Sequence, residues 1–218
     1  LDSLIDGIDR PITTLALYRR VKPAIARIGC LHTSIGFEEA LYESFNEDAN
    51  CFPLLLAHDS TGVFVLEQLG ADDRVRVGDE LMSISGQPVE DIYATLLTAI
   101  PLDGYSQVGK EALLRYQFPV WYRSMVSVSN AFEVVLRRGQ ELDTMFLNGV
   151  HESLVPGYED IMARPMTLSI ANKVATWQIP SFSRRALKSQ KQRFKQEVKR
   201  YMRQMREADV HSLIIDLR

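Results

Sequence analysis

The spacing of the apolar residues changes after Pro53, and this change points to a fold that mixes helices and strands. Before Pro53 the apolar residues recur near the 3.6-residue period of a helix. This stripe consists of Ile12, Leu15, Leu17, Tyr18, Val21, Ile25 and Ile28. Pro23 interrupts it, and a proline removes one backbone hydrogen bond from a helix. The first fifty residues therefore predict either two helices or one kinked helix.

Short apolar runs of strand length follow Pro53. The runs Leu54–Ala57 and Val63–Leu66 flank a turn at Asp59–Gly62, which predicts a hairpin. A strand around Leu81 ends at a Ser-Gly turn. A helix is predicted from about Glu90, because apolar residues then return to helical spacing.

A longer amphipathic helix is predicted over residues 105–126, with a break at Pro119. Apolar runs at 132–136 and 142–147 then predict a second hairpin across Arg138-Gly139-Gln140. From Asn148 to Pro165 no periodicity holds, and the prolines and glycines there indicate a linker or a long loop.

The last part of the chain predicts a unit of the order β-β-α-β. Apolar runs at 166–170 and 174–179 flank a turn at Ala171-Asn172, and one long helix is predicted from about Arg185 to Ala208. The run Leu213–Ile215 is typical of a strand buried on both faces of an α/β sheet. Because a natural chain seldom stops at such a strand, we expect these 218 residues to be a piece of a longer protein.

The basic residues are concentrated near the end of the chain. Residues 184–206 contain ten Lys or Arg residues and a single acidic residue, Glu197. Apolar residues recur at helical spacing within this segment, which favours a solvated helix face over a surface for nucleic acid or anionic lipid. The predicted buried stripe consists of Leu187, Phe194, Val198, Tyr201, Met202 and Met205.

The composition is that of a globular protein, with 46% hydrophobic and 24% charged residues and a formal net charge of -3. Its length fits one large domain or two small ones. No apolar run of about 18 residues is present, so no membrane-spanning segment is predicted. Cys30 and Cys51 can form one bridge or remain two small thiols, and their number does not decide between these states.

Three segments together resemble one known family. Gly78–Gly86 resembles the strand and turn of the PDZ domains that bacterial proteases use. Val174–Ser183, the basic helix and His211–Arg218 are similar in order and spacing to the core of the carboxyl-terminal-processing, or tail-specific, serine proteases. Ile28–Thr33 resembles the Gly-His-Thr segment that ends the N-terminal helices in this family and in its tricorn-like branch.

The resemblance implies a fold of mixed α+β and α/β class in four parts. These are a helical segment at 1–50 with the Cys-Leu-His-Thr motif, a PDZ-like β-rich domain with a helical insertion at 51–150, a linker at 151–165, and the start of an α/β protease core at 166–218. It also implies a periplasmic or secreted enzyme that cleaves protein or peptide substrates without a cofactor. A sheet edge left open at the end of such a piece would permit a homo-oligomer.

The resemblance assigns His32 as the general base, as in the tricorn-like branch, whereas the tail-specific branch uses a lysine located after the serine. An imidazole suits this role because it exchanges protons near neutral pH. In these proteases the strand ending in Asp-Leu-Arg leads into a Gly-rich loop that helps to form the oxyanion hole. The nucleophilic serine comes some tens of residues later, so we expect it beyond Arg218.

The other histidines and the serines considered as nucleophiles are predicted to be structural or surface residues. The histidines His58, His151 and His211 lack a metal-binding spacing. The serines Ser34, Ser181 and Ser183 lie in no nucleophile elbow, and Ser183 is suited to cap the long helix. Asp216 is expected to pair with Arg218 or with the loop that follows.

A second hypothesis belongs to a different class of function. The chain would then be a non-catalytic PDZ-like module that binds a peptide by adding it as a strand to its sheet. The helical insertion at 105–126 is absent from a minimal PDZ domain, and one possible place for it is over the peptide groove. A Gly-rich loop and a serine after Arg218 would favour the enzyme, and their absence from the gene would favour the module.

Overall fold

The computed structural model describes residues 11–70, 72–104, 106–157 and 164–217. The chain forms two compact units, Leu1–Val155 and Pro156–Arg218. Helices and strands occur in both, so the predicted mixed class is confirmed.

The first unit begins with two helices. Helix α1 spans Thr14–Ala26, and the Thr13 side chain caps it by accepting a hydrogen bond from the backbone N–H of Ala16. Pro23 lies inside this helix, so the predicted apolar stripe forms one helix rather than two. Helix α2 spans Glu39–Phe45.

The strands of the first unit form one sheet. They are β1 Leu54–Asp59, β2 Gly62–Gln68, β3 Glu80–Ile84, β4 Gln87–Pro88, β5 Ala131–Arg138 and β6 Glu141–Asn148. The order is β1-β2-β3-β5-β6, and β4 pairs with β3. Both predicted hairpins are confirmed, since β1 pairs with β2 and β5 pairs with β6 in antiparallel register.

Two more helices pack with this sheet. Helix α3 spans Val89–Ala99, close to its predicted start, and α4 spans Val108–Met125. The predicted break at Pro119 is wrong, because α4 continues through that residue. Leu114, Phe118 and Tyr122 follow one another at four-residue spacing and are fully buried, so both halves of the helix are held by the same core.

The start of the predicted linker packs with the first unit. Cys51 and Val150 form a β-bridge, and Arg123 of α4 pairs with Glu152 in a short 3₁₀ helix, Glu152–Leu154. The predicted linker therefore contains an ordered part up to Val155. Its residues 158–163 lie outside the described part of the chain.

The second unit contains β7 Thr167–Ala171, β8 Val174–Gln178, helix α5 Arg184–Ser189, helix α6 Phe194–Glu207 and β9 Ser212–Asp216. β7 and β8 form the predicted hairpin, and β9 runs parallel to β8. The two helices make the connection between these parallel strands, as in an α/β unit.

The single long helix predicted over Arg185–Ala208 is wrong. Helix α5 stops at Ser189, where the amides of Lys191 and Gln192 donate to the carbonyls of Lys188 and Leu187. This is a Schellman motif with Lys191 in the left-handed conformation, at φ 55°. The Gln192 side chain then bonds both the N–H and the carbonyl of Met166, which accounts for the break in physical terms.

The burial of the second unit differs from prediction at two places. Within the predicted stripe Leu187, Tyr201 and Met205 are buried, but Phe194 and Met202 are 38% and 44% exposed. Strand β9, expected to be buried on both faces, exposes 42–53% of Leu213, Ile214 and Ile215. The reason is that, within the described residues, no layer covers the two faces of β9, which also forms an edge of the sheet beside β8.

Candidate functional site

The segment that carries His32 is a loop between α1 and α2, and we call residues Gly29–Ile35 the His32 loop. It begins where α1 ends, and Gly29 adopts a left-handed conformation with φ 67°. A residue with a side chain is strained there, so glycine is the residue that permits this turn out of the helix.

Hydrogen bonds to a neighbouring turn hold the first half of the His32 loop. The amide of Gly104 donates to the Gly29 carbonyl at 3.1 Å. The amide of Leu31 donates to the Asp103 carboxylate at 2.7 Å. Within the loop, the Thr33 amide donates to the carbonyl of Cys30 at 3.1 Å. The backbone on both sides of His32 is therefore fixed.

The second half of the loop is held by Lys22 of α1. Its ammonium group donates to the hydroxyl of Ser34 at 2.7 Å and to the carbonyl of Ile35 at 2.9 Å. The Lys22 side chain is 4% exposed, and its Nζ lies 5.5 Å from the ring centres of both Tyr18 and Trp121. Burial lowers the pKa of Lys22 from its ordinary value.

Sequence reasoning missed Lys22, although a signal for it was present. Tyr18, Lys22 and Ala26 follow one another at four-residue spacing and form the buried face of α1. A lysine on the apolar face of a helix needs buried partners, because an unpaired polar group in a core is costly. The chain supplies them from residues twelve and thirteen positions away.

The two cysteines are both free thiols, which answers the question left open by their number. Cys30 is partly exposed, and its pKa is lowered by a hydrogen bond from the Thr33 hydroxyl and by the backbone amide of His32. Cys51 is fully buried, and this burial raises its pKa to about 11.

His32 differs from the other three histidines. Its side chain is exposed, and within the described residues no hydrogen bond or ion pair holds its ring. His58 lies 3.2 Å from the Glu90 carboxylate and packs on the Tyr93 ring. His151 donates to the Asn46 carbonyl at 2.8 Å. His211 is 3.4 Å from Asp209.

The serines and Asp216 have local partners. Ser183 caps α5 as predicted, by accepting from the amide of Ala186, and Ser181 accepts from the amide of Ser183. Ser34 contacts Lys22, a neighbour that the sequence did not indicate. The Asp216 carboxylate accepts from the Gln178 side chain at 3.4 Å, and its predicted partner Arg218 lies outside the described residues.

Helix α4 packs against β1, an edge strand of the sheet. It also packs against α3, and the Phe118 ring stacks on Tyr93 with centres 5.3 Å apart.

Metal-binding clusters and membrane-spanning helices are both absent from the part of the chain that the structure describes. No cluster of three or more His, Cys, Asp or Glu side chains there could hold a metal ion. Of the helices that the structure describes, none has both the length and the apolar character to cross a membrane.

The fold of this chain is similar to that of solved protease structures. No known family model and no curated protein matches the sequence. Among the solved structures with a similar fold are three of CPAF, a chlamydial serine protease. A serine-to-alanine mutant of CPAF has a TM-score of 0.63 and 16% identity over 99% of this chain. Mature CPAF in complex with lactacystin has a TM-score of 0.58 and 14% identity over 99%.

The chain spans about half the length of these structures, 49% and 48% of the respective chains. At identities of 16% and 14% the likeness concerns the fold alone.

Proposed function

We propose that this chain is part of a serine endopeptidase in which His32 is the general base and the nucleophilic serine comes from outside these 218 residues. The observation that carries the proposal is the exposed ring of His32 on a loop whose backbone is held on both sides. A base for a serine supplied by another segment needs this combination of a fixed position and a free ring. The likeness to CPAF over 99% of the chain supports the class of enzyme.

In this proposal the reaction is acyl transfer. A ring nitrogen of His32 accepts the proton of the serine hydroxyl while the serine oxygen attacks the carbonyl carbon of a peptide bond. The protonated imidazole then gives its proton to the leaving amine, and the acyl group stays on the serine. Water, activated by the same imidazole, hydrolyses this ester and restores both side chains. The loop that follows β9 would supply donors for the oxyanion.

The proposal selects the tricorn-like arrangement, in which the base precedes the serine, over the tail-specific arrangement with a lysine after it. The substrates would be proteins or peptides, and the enzyme would act outside the cytoplasm. These finer assignments are supported by the resemblance of Ile28–Thr33 and of His211–Arg218 to the family, and by the free ring of His32.

The test is a comparison of His32→Ala with His211→Ala in the full encoded protein. Loss of a general base should lower kcat by about a hundredfold to ten-thousandfold. His211→Ala should keep wild-type turnover, because that exposed ring contacts only the carboxylate of Asp209 among the contacts described for it. Both variants should unfold at the wild-type denaturant concentration. Wild-type turnover in His32→Ala would move the base elsewhere, to a lysine after the serine.

The rival hypothesis, a non-catalytic peptide-binding module, is not favoured. The fold is similar to solved structures of CPAF over 99% of the chain, which supports the enzyme over the module.

A further inference from the structure

We infer that Lys22 is a positioning residue whose buried ammonium group holds the His32 loop in place through hydrogen bonds to Ser34 and Ile35. The catalytic part of this inference, that Lys22 orients the proposed base His32, rests on the proposed function. The structural part, that Lys22 controls the order of the loop, stands on the contacts alone.

The contacts of Lys22 converge on the segment directly after His32. Its Nζ reaches the Ser34 hydroxyl and the Ile35 carbonyl, two and three residues beyond the histidine. Ile35 packs against the core of the first unit, so this end of the loop is in contact with that core. The other end of the loop is tied to Asp103 and Gly104. His32 therefore lies between two anchored points, and Lys22 is the anchor on the C-terminal side.

The energetics of Lys22 indicate that it does more than stabilise the fold. Burying an ammonium group costs several kcal/mol, and an apolar side chain of similar volume is often as good or better for stability. Within the described residues no carboxylate pairs with Lys22, so Coulomb attraction to an acid does not offset this cost. Two hydrogen bonds and the faces of Tyr18 and Trp121 compensate the charge instead. If this side chain contributed only packing to the core, methionine would give the same or greater stability.

The geometry also argues against Ser34 as a nucleophile activated by Lys22. Burial lowers the pKa of Lys22, whereas the two aromatic rings act in the opposite direction and favour its ammonium form. The ammonium form is a donor to the Ser34 oxygen and has no lone pair to take the hydroxyl proton. The Ser34 hydroxyl itself donates to the Ile35 carbonyl at 3.4 Å, so its proton is directed at that oxygen and not at Nζ. The contact holds the loop in place.

The test compares Lys22→Met with the matched control Lys110→Met in the 218-residue chain. Lys110 is half-buried and donates to one backbone carbonyl, that of Leu97, and none of its described contacts is with the His32 loop. The readout is amide hydrogen exchange of Leu31 and Thr33, whose N–H groups donate hydrogen bonds in the loop. The amides of the β5–β6 hairpin serve as the internal reference.

In Lys22→Met we expect these two amides to exchange about tenfold faster, the size of effect of a lost hydrogen bond. The hairpin amides and the denaturation midpoint should stay at or above the wild-type values. Lys110→Met should leave Leu31 and Thr33 unchanged. Unchanged exchange of the loop in Lys22→Met would overturn the inference. A parallel acceleration of loop and hairpin would overturn it too, because it would show a general loss of stability.

A second variant, Ser34→Ala, removes one partner of Lys22 and leaves the buried cation in place. It should accelerate the same two amides by a smaller factor, and no change at all would count against the inference. In the full encoded protein, Lys22→Met should lower kcat with little change in KM. If His32 is not the base, that kinetic effect will be missing while the exchange result persists, so failure of the proposed function and failure of this inference are distinguishable.

Discussion

The guanidinium group of Arg138, at the end of β5, holds the carboxylate of Asp79, which directly precedes β3. Nε and Nη2 of Arg138 lie 2.8 and 2.5 Å from the two carboxylate oxygens, and the Arg76 amide also donates to Asp79. Asp79 is buried, whereas the Arg138 side chain is 41% exposed. The acidic residue of the Gly-Asp-Glu segment therefore has a structural task, which is to fasten two strands of the sheet at one end.

Replacement of Asp79 by Asn should destabilise the first unit by about 1–3 kcal/mol, because Arg138 and the Arg76 amide lose their buried, charged acceptor. Arg138 lowers the pKa of Asp79 below the ordinary value of 3.8. The stabilisation is therefore present above that value and is lost as the pH falls through the folded-state pKa. Urea unfolding from neutral to acidic pH measures this. Asp72→Asn, which breaks a more exposed pair with Arg74, should cost at most about 1 kcal/mol. Equal costs would contradict the assignment.

Alkaline pH should unfold the first unit through its buried tyrosines. Burial raises the pKa of Tyr18 from 10.0 to about 12, and it also raises the pKa values of Tyr93 and Tyr122. The folded state thus holds more protons in this range, so stability is complete below about pH 10 and is lost as the pH rises through 12. Tyrosinate absorbance followed together with circular dichroism measures the coupling. Tyr18→Phe should reduce the alkaline sensitivity. Full ionisation near pH 10 in a folded chain would show that the rings are accessible.

In the second unit, Leu187 should matter more than Phe194. Leu187 is 1% exposed, so Leu187→Ala should cost about 2–5 kcal/mol through lost burial and a new cavity. Phe194 is 38% exposed and touches the exposed ring of Phe182, so Phe194→Ala should cost only about 1 kcal/mol. Denaturant unfolding of the two variants decides the order. A larger loss of unfolding free energy in Phe194→Ala than in Leu187→Ala would show that Phe194 is buried, as the sequence pattern predicted.

The basic face of α6 should be a solvated surface. Lys195 and Lys199 are exposed, and reversing both to Glu should change the free energy of unfolding by about 0.5 kcal/mol or less. Fluorescence anisotropy with random duplex DNA, at low and high salt, tests the alternative. Tight, salt-dependent binding that disappears in the double variant would contradict the solvated-face interpretation.

Strand β9 should make the isolated chain associate with itself. Its side chains are apolar and exposed, and among the described strands it pairs with β8 alone, which leaves an edge that another strand can join. Sedimentation at several concentrations should show a mass that rises with concentration. Ile214→Lys should suppress this rise, and Ser169→Lys on β7 should not. A wild-type chain that stays monomeric at high concentration would mean that this edge does not pair between copies.

Much of the local structure follows from the sequence because it depends on neighbouring residues. The change of period after Pro53, the turns with Gly62, Gly86 and Gly139, and the cap at Ser183 all act within a few positions. Pro119 and the basic segment show the limit of this reasoning. A proline weakens a helix by a local effect, but the buried side chains on both sides of Pro119 keep α4 continuous. The basic segment shows the opposite case, because its apolar spacing predicts one continuous helix and the chain forms two. At the break between them, Gln192 bonds Met166, a contact that the spacing does not indicate.

Part of the candidate site could likewise be predicted from the sequence, and part of it depends on the tertiary structure. The sequence indicated His32, since a short motif of neighbouring residues carries the resemblance. It did not indicate Lys22, because the contact with Ser34 exists only once the loop folds back over α1 and Trp121 arrives from α4, about a hundred positions away along the chain. The packing of α4 beside β1 and the exposure of β9 also depend on partners far along the chain, or on their absence among the described strands. Local spacing determines which elements form, and long-range packing decides which of their faces are covered.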